Sequence, residues 1–304
     1  MTRPKRDSRK VLYLLMDTET TMKNGLVFDM AFKLFDRNGR MYEYGSYLFT
    51  DVLAIEEPYF KEKIATYWQY VYRKKIVPLP LHTVRFIFNR MLRKYTERNY
   101  KIVICAYNAL FDVTHLGDTS RNLNKENFVI ELNDNIKFFD LWHGWVSGCP
   151  VDYGYTAPFV HGKLAGTTNP KTKKAFSWNI KTSAEAVYQY IVDNPNFVEH
   201  HVAFEDIIIE EIILFDILKR KKKLHIVDNP KHFVSMPWKI AQERCRVPIE
   251  ARKNKELSLR EILESVPDIS TRLDHMTDNK PTIVFPAEDS PKFDPAYEEL
   301  GFHN

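Results

Sequence analysis

The sequence predicts an α/β protein with a mixed β-sheet flanked by helices on both faces. Three observations support this fold class: an apolar run comes first, a hairpin pattern follows it, and helical and strand patterns then alternate. Hydrophobic residues make up 44% of the 304 positions, which is ample for a packed core.

The first third of the chain predicts a strand, a hairpin and two helices. The apolar residues 11–16 predict a buried strand, and the residues Asp36 to Gly39 have the composition of a hairpin turn. Pro78 and Pro80 interrupt the helical pattern that follows. The further elements expected here are strands at 26–35 and 41–49 and helices at 58–77 and 81–98.

The rest of the chain predicts alternating helices and strands and then a tail. The expected elements are strands at 101–106 and 136–140, helices at 110–123 and 183–192, and a long helix beginning near Val202. We divide the chain into a basic arm at 1–10, a domain at 11–227 with an aromatic insertion at 142–178, and a C-terminal extension at 228–304 that is partly an extended tail.

Two carboxylates follow the first predicted strand. Asp17 and Glu19 are separated by one residue, so in an extended chain they point to the same side and can converge on one cation. Carboxylate oxygens are the ligands that Mg²⁺ or Mn²⁺ prefers. The tripeptide by itself is a weak signal, because this spacing arises by chance about once in a chain of this size.

A second acidic segment follows the strand predicted at 101–106. Asn108 lies in the turn, and Asp112 lies in the first turn of the next predicted helix. The carboxyl ends of strands in an α/β sheet are where ligands usually bind. An alternative is that Asp112 only complements the dipole of its helix.

A third segment precedes the long helix predicted from Val202. His201 falls on the approach to this helix, and Asp206 lies about one turn inside it. A histidine before a helix is often only a surface cap. An aspartate on the apolar side of a helix is more informative, because a buried carboxylate needs a partner.

The three segments together predict a metal-dependent hydrolytic site. Four acids in one cavity would repel one another unless cations neutralised them. Two divalent ions would activate water and stabilise the leaving oxygen of a phosphodiester, and a neutral histidine would accept the proton of the water. The predicted ligands and base are Asp17, Glu19, Asp112, Asp206 and His201.

The chain resembles the DnaQ-like DEDDh family of 3′–5′ exonucleases, within the ribonuclease H-like superfamily. The first motif of that family, D-x-E-T-T after a strand, matches residues 17–21, and its second, N-A-x-F-D, matches residues 108–112. Its third, H-x-A-x-x-D leading into a helix, matches residues 201–206 and selects His201 over His200.

The resemblance implies a ribonuclease H-like fold and a metal-dependent 3′–5′ exonuclease that releases nucleoside monophosphates from single-stranded DNA in replication proofreading or repair. It implies two Mg²⁺ or Mn²⁺ ions per site, held by Asp17, Glu19, Asp112 and Asp206, with His201 as general base. It also places Thr20, Asn108 and Phe111 beside the terminal nucleotide.

The chain departs from the family pattern at two positions near the motifs. Met22 stands where family members usually carry a glycine, although Asn24-Gly25 predicts that the turn still forms. Tyr107 stands where many members have a histidine. These differences bear on substrate detail and leave the metal ligands intact.

Two other functions are compatible with the same motifs. An exoribonuclease would use the same chemistry on RNA. A catalytically inactive subunit would use the fold to bind nucleic-acid ends or a polymerase, although the intact acid set argues against it. The extension at 228–304 is the expected docking segment for a DNA polymerase or another replication protein.

The insertion at 142–178 is rich in aromatic residues. It predicts either a flap that stacks on single-stranded bases or, as we favour, a hairpin packed on the core. His143, Cys149 and His161 do not have a recognised zinc-ligand spacing. The insertion and the tail are similar to those of phage-encoded members of the family.

Charge and cysteine content indicate the compartment and the partner. The net charge is +4, and phosphate backbones attract basic clusters such as those at 3–10, 171–174 and 219–223. For the run at 219–223 we favour the alternative that it is a solvated helix end that complements the helix dipole. The three cysteines are widely spaced, which fits a reducing cytoplasm. No apolar run approaches the roughly 18 residues of a membrane span, so we expect a soluble intracellular protein.

Overall fold

The computed structural model describes residues 8–55, 64–124, 130, 133–148, 182–194, 196–220 and 223–233. Its strands are β1 (Val11–Thr20), β2 (Val27–Asp36), β3 (Met41–Phe49), β4 (Val77–Leu79), β5 (Lys101–Ala106) and β6 (Ile136–Asp140). Its helices are α1 (Thr50–Leu53), α2 (Ile64–Tyr72), α3 (Leu81–Thr96), α4 (Ala109–Asn124), α5 (Leu141–Gly148), α6 (Ala184–Val192) and α7 (Ala203–Arg220), with a 3₁₀ turn at Pro230–His232.

The six strands form one mixed sheet in the order β4-β3-β2-β1-β5-β6. Strand β2 is antiparallel to β1 and β3, whereas β1, β5 and β6 are parallel neighbours and β4 is parallel to β3. Only β2 therefore runs against the others in this sheet. The mixed sheet expected from the hairpin and the alternating elements is confirmed.

Two apolar cores lie on opposite faces of the sheet. Leu12, Leu14 and Met16 of β1 belong to the core that contains α3 and α4. Tyr13 and Leu15 belong to the other core, with α5, α6 and α7. This alternation is the period of a strand buried on both faces. Helices on both faces are therefore confirmed.

The region around residue 78 differs from the prediction. Pro78 was expected to separate two helices, but it lies inside the short strand β4. Within the described part of the chain, strand β4 is at the edge of the sheet and pairs with β3 alone, a position where a residue without an N–H group is tolerated. The helix predicted at 58–77 is observed at Ile64–Tyr72, and residues 56–63 lie outside the described part.

The turn after β1 forms as predicted, despite the methionine at position 22. The Thr21 amide donates to the Leu26 carbonyl at 2.8 Å and closes the turn. Gly25 has a φ of +63°, a conformation that glycine adopts without strain. The His115 ring also approaches within 3.1 Å of the position that a Cβ would occupy at this glycine.

Several expected segments lie outside the described residues. These are most of the N-terminal arm, the part of the insertion from 149 to 178, and the C-terminal extension from residue 234 onward. Among the helices that the structure describes, none is both long and apolar enough to cross a membrane.

Alanine substitutions at two helical glycines should change the free energy of unfolding in opposite directions. A Cβ at Gly144 would overlap the buried ring of Phe139, so Gly144→Ala should lower the free energy of unfolding by about 1–3 kcal/mol. A Cβ at Gly117 would lie 3.4 Å from Arg121, an ordinary contact, so Gly117→Ala should raise it by up to about 1 kcal/mol. Urea unfolding of both variants measures this, and equal effects would contradict the packing at Gly144.

Candidate active site

The predicted acidic residues lie at one edge of the sheet. Leu15 of β1 is in register with Cys105 of β5, and Ala106 is in register with Asp140 of β6. Because these three strands are parallel, the residues that follow them meet at the same edge. Asp17 and the turn before α4 therefore lie side by side.

The first turn of α7 packs over this edge from the side of β2. Ala203 and Ile207 of α7 form a small buried cluster with Ala31 of β2. Ala31 is opposite Asp17 in the pairing of β1 with β2. This packing brings Asp206, which is only 4% exposed, to the two acids of β1.

Glu19, His201 and Asp206 form the tightest group of potential ligands. One ligand atom from each lies within 4.8 Å of the corresponding atoms of the other two. The three residues come from two segments about 180 positions apart in sequence, so the fold brings them together. Among the residues that the structure describes, this is the one group of metal-ligating side chains at such spacing.

The two adjacent histidines have different surroundings. The ring of His200 lies 2.7 Å from the Glu205 carboxylate and is exposed. His201 instead joins Glu19 and Asp206, and its backbone has a φ of +51°, in the left-handed region. A non-glycine residue in that conformation costs free energy and is often found at functional sites.

Asp112 is joined to the first segment through a threonine. The Thr18 hydroxyl donates to Asp112 Oδ1 at 2.7 Å, and both side chains are buried. This bond ties the first turn of α4 to β1. Asp112 therefore lies at the same sheet edge as Asp17, on a helix whose position is fixed.

The acids destabilise one another in their charged forms. Burial, and then the charges of Glu210, Asp206, Asp112 and Glu19, raise the pKa of Asp17 well above its usual value. Burial, followed by neighbouring carboxylates, also raises the pKa of Asp206 well above its usual range. Burial raises the pKa of Asp112 to about 7. A nearby cation would reverse these shifts.

Several buried carboxylate oxygens at this edge make no hydrogen bond within the described part of the chain. They are Asp17 Oδ2, Asp206 Oδ1 and Glu210 Oε2. Buried carboxylate oxygens are normally paired or bound to a metal. The donor set of oxygens and one imidazole suits Mg²⁺ or Mn²⁺. The residues present therefore fit the cations that the sequence predicts.

The expected substrate-contacting residues lie on the segments that carry Glu19 and Asp112. Thr20 ends β1 at an irregularity of its pairing with β2. Asn108 has a φ of +69° in the turn before α4. Phe111 is 39% exposed, and its ring contacts that of His115 at a centroid distance of 4.2 Å. An exposed aromatic ring beside the acids is available for stacking on a base.

Sequence reasoning did not identify Asp29, which supports the start of α7. Its Oδ2 accepts from the Ala203 amide at 3.0 Å and from the Tyr67 hydroxyl at 2.9 Å. Asp29 is also opposite Glu19 in the sheet. Its position within an apolar strand sequence was the available signal, since a charged residue there needs a partner.

Sequence reasoning also did not identify Asp140, which supports the start of α4. Its Oδ2 accepts from the Ala109 amide at 3.1 Å, and its Oδ1 accepts from the His143 amide at 2.9 Å. One carboxylate therefore accepts hydrogen bonds from backbone amides in the first turns of two helices. Its place at the carboxyl end of a predicted strand could have revealed it.

The third residue that was missed is Glu210, one turn after Asp206 in α7. It is 2% exposed and stands among isoleucines on the buried face of the helix. A glutamate among apolar residues at helical spacing from a predicted ligand was the signal in the sequence. Of the insertion residues considered as zinc ligands, Cys149 and His161 lie outside the described residues.

Comparisons with known proteins give one distant likeness. No family model matches the chain, and no curated protein matches it. The chain is similar to a solved structure described as Exonuclease X in complex with 5′ overhanging duplex DNA, with 16% identity over 75% of this chain and 99% of that one. The TM-score is 0.35, too low to support an argument about function.

The raised pKa values predict how the stability of the metal-free protein depends on pH. Burial raises the pKa of Asp29 to about 7 and that of Asp140 to about 6, as it does for Asp112. A carboxyl whose pKa is higher in the folded than in the unfolded state makes its full contribution to the free energy of unfolding below pH about 4. That contribution is lost as the pH rises to about 7, because the buried group must then ionise.

We therefore expect the free energy of unfolding in EDTA to be lower at pH 8 than at pH 5 by more than about 1 kcal/mol. Urea unfolding at the two pH values measures this difference. Asp29→Asn keeps an acceptor for the Ala203 amide and should reduce the difference. Stability that rises with pH would contradict the burial of these acids.

Proposed function

We propose that this protein is a divalent-metal-dependent 3′–5′ exonuclease that hydrolyses the terminal phosphodiester of single-stranded DNA and releases nucleoside monophosphates. The observation that supports it best is the group formed by Glu19, His201 and Asp206 within 4.8 Å. Asp17 and Asp112 stand at the same sheet edge, where burial, and then neighbouring carboxylates, raise the pKa of each.

In this proposal the acids hold two Mg²⁺ or Mn²⁺ ions. Asp17 and Asp206 contribute to the ion at the attacking water, and Glu19 and Asp112 complete the two sites. The chemistry that such ions supply is activation of water and stabilisation of the leaving oxygen. The rigid attachment of each acid to a strand or to the first turn of a helix holds the ligands in place before the substrate arrives.

His201 acts as the general base. Histidine is the side chain that accepts a proton most readily near neutral pH. His201 stands beside two of the proposed ligands and is partly exposed, so it can reach a water on the open side of the site. The ring of His200 contacts Glu205 instead of the proposed ligands.

The polarity and the preference for a single strand rest on the resemblance of the three motifs. Thr20, Asn108 and Phe111 would contact the terminal nucleotide, with the exposed Phe111 ring stacking on its base. Docking of a polymerase through the C-terminal extension is a further part of the proposal, although residues 234–304 lie outside the described part.

Substitution of the proposed base and of a proposed ligand should abolish most activity. We expect His201→Ala and Asp17→Asn to lower kcat by at least about a hundredfold, because each removes a group that acts in the transition state. His200→Ala is the matched control and should retain activity. The assay is degradation of 5′-labelled single-stranded DNA with Mg²⁺, and full activity of His201→Ala would exclude that residue as the base.

The substrate and polarity are tested with the wild-type protein. Single-stranded DNA labelled at its 5′ end should give a ladder of shortened products with Mg²⁺ and no product with EDTA. Duplex DNA and RNA of the same sequence are the comparison substrates. Faster degradation of RNA would make the protein an exoribonuclease, and immediate release of a 5′-terminal label would reverse the polarity.

A further inference from the structure

A glutamate outside the three motifs faces the proposed cation site. Glu210 lies four residues after Asp206 in α7, which places both side chains on the same side of the helix. Its side chain is buried, with 2% exposed. An isolated ionised carboxylate is very costly to bury, so its surroundings must compensate it.

The two oxygens of Glu210 have different surroundings. Oε1 accepts from the Tyr107 amide at 2.9 Å, in the turn that leads to Asn108 and Asp112. Oε2 is buried and has no hydrogen-bond partner within the described part of the chain. One oxygen therefore anchors the turn between β5 and α4, and the other is available to a ligand.

The charge of Glu210 interacts with the charges of the other acids. Among neighbouring charges, Glu210 has the largest effect in raising the pKa of Asp17, and Asp112 has the largest effect in raising the pKa of Glu210. The next residue, Glu211, is different, because it forms an ion pair with Lys33 at 2.5 Å. Only one of the two adjacent glutamates therefore faces the acids.

We infer that Glu210 is a fifth carboxylate of the cation site and adds negative charge to the divalent ion on the side of Asp17 and Asp112. This inference rests on the proposed function, since it needs the same ions. Glu210 thus joins α7, through the Tyr107 amide, to the segment that carries the second motif, and its charge would help to balance that of the ions.

The competing explanation is purely structural. Glu210 would then only hold the Tyr107 amide and would make no contribution to the binding of a cation. Glu210→Gln separates the two roles, because glutamine keeps an oxygen for the amide but carries no charge. Glu211→Gln is the matched control one residue away.

The experiment is calorimetric titration of the full chain with Mn²⁺, together with thermal unfolding in EDTA and in Mn²⁺ at pH 8. We expect Glu210→Gln to weaken Mn²⁺ binding by about tenfold or more, as changes around metal ligands do. In EDTA the variant should unfold at a higher temperature than the wild type, since one repelling buried charge is gone. Its stabilisation by Mn²⁺ should be smaller.

The outcomes are distinguishable. Unchanged Mn²⁺ affinity in Glu210→Gln would overturn the inference and leave the proposed function intact. A wild-type protein that binds no Mn²⁺ would overturn the proposed function and the inference with it. Weakened binding in Glu210→Gln, with Glu211→Gln like the wild type, supports both. If the glutamine variant does not fold, Glu210→Asp and Glu210→Asn are compared instead, because both shorten the side chain equally and differ in charge; equal Mn²⁺ affinity of the two would overturn the inference.

Discussion

The mutual repulsion of buried carboxylates at one edge of the sheet is the constraint on which the rest of this site depends. Asp17, Asp112, Asp206 and Glu210 are brought together in a setting that raises the pKa of each one. Such an arrangement costs stability when no cation is bound, and a protein retains it where a cation provides the compensation. The cost in stability of bringing these acids together therefore supports the proposal that the site binds a divalent cation.

Two further acids hold this arrangement in place. Asp29 binds the first amide of α7, and Asp140 binds the first amide of α4. Each of these helices carries one proposed ligand in its first turn, namely Asp206 or Asp112. A shift of either helix start would move a ligand, so Asp29 and Asp140 position the site without belonging to the group that would touch an ion.

The side chains around the acids are buried on one side of the site and exposed on the other. On the inner side, Glu210 accepts from the Tyr107 amide just before the second motif, and Thr18 donates to Asp112 of that motif. On the outer side, Phe111 is exposed, and His201 has the left-handed backbone that brings it to Glu19 and Asp206. Polar groups that orient the acids thus lie within the protein, and the groups suited to substrate and water lie at its surface.

The sequence by itself determined the order of the elements, the mixed sheet and the three acidic segments, because strand and helix periods and motif spacing are local properties of the chain. It did not reveal Glu210, Asp29 or Asp140, whose contacts join residues distant in sequence, such as Glu210 with Tyr107. The sequence also predicted that Pro78 separates two helices, whereas pairing with β3 places this proline in an edge strand. Only the tertiary structure decides which strands are neighbours and how helices pack on them, and these contacts decide which acids share one pocket.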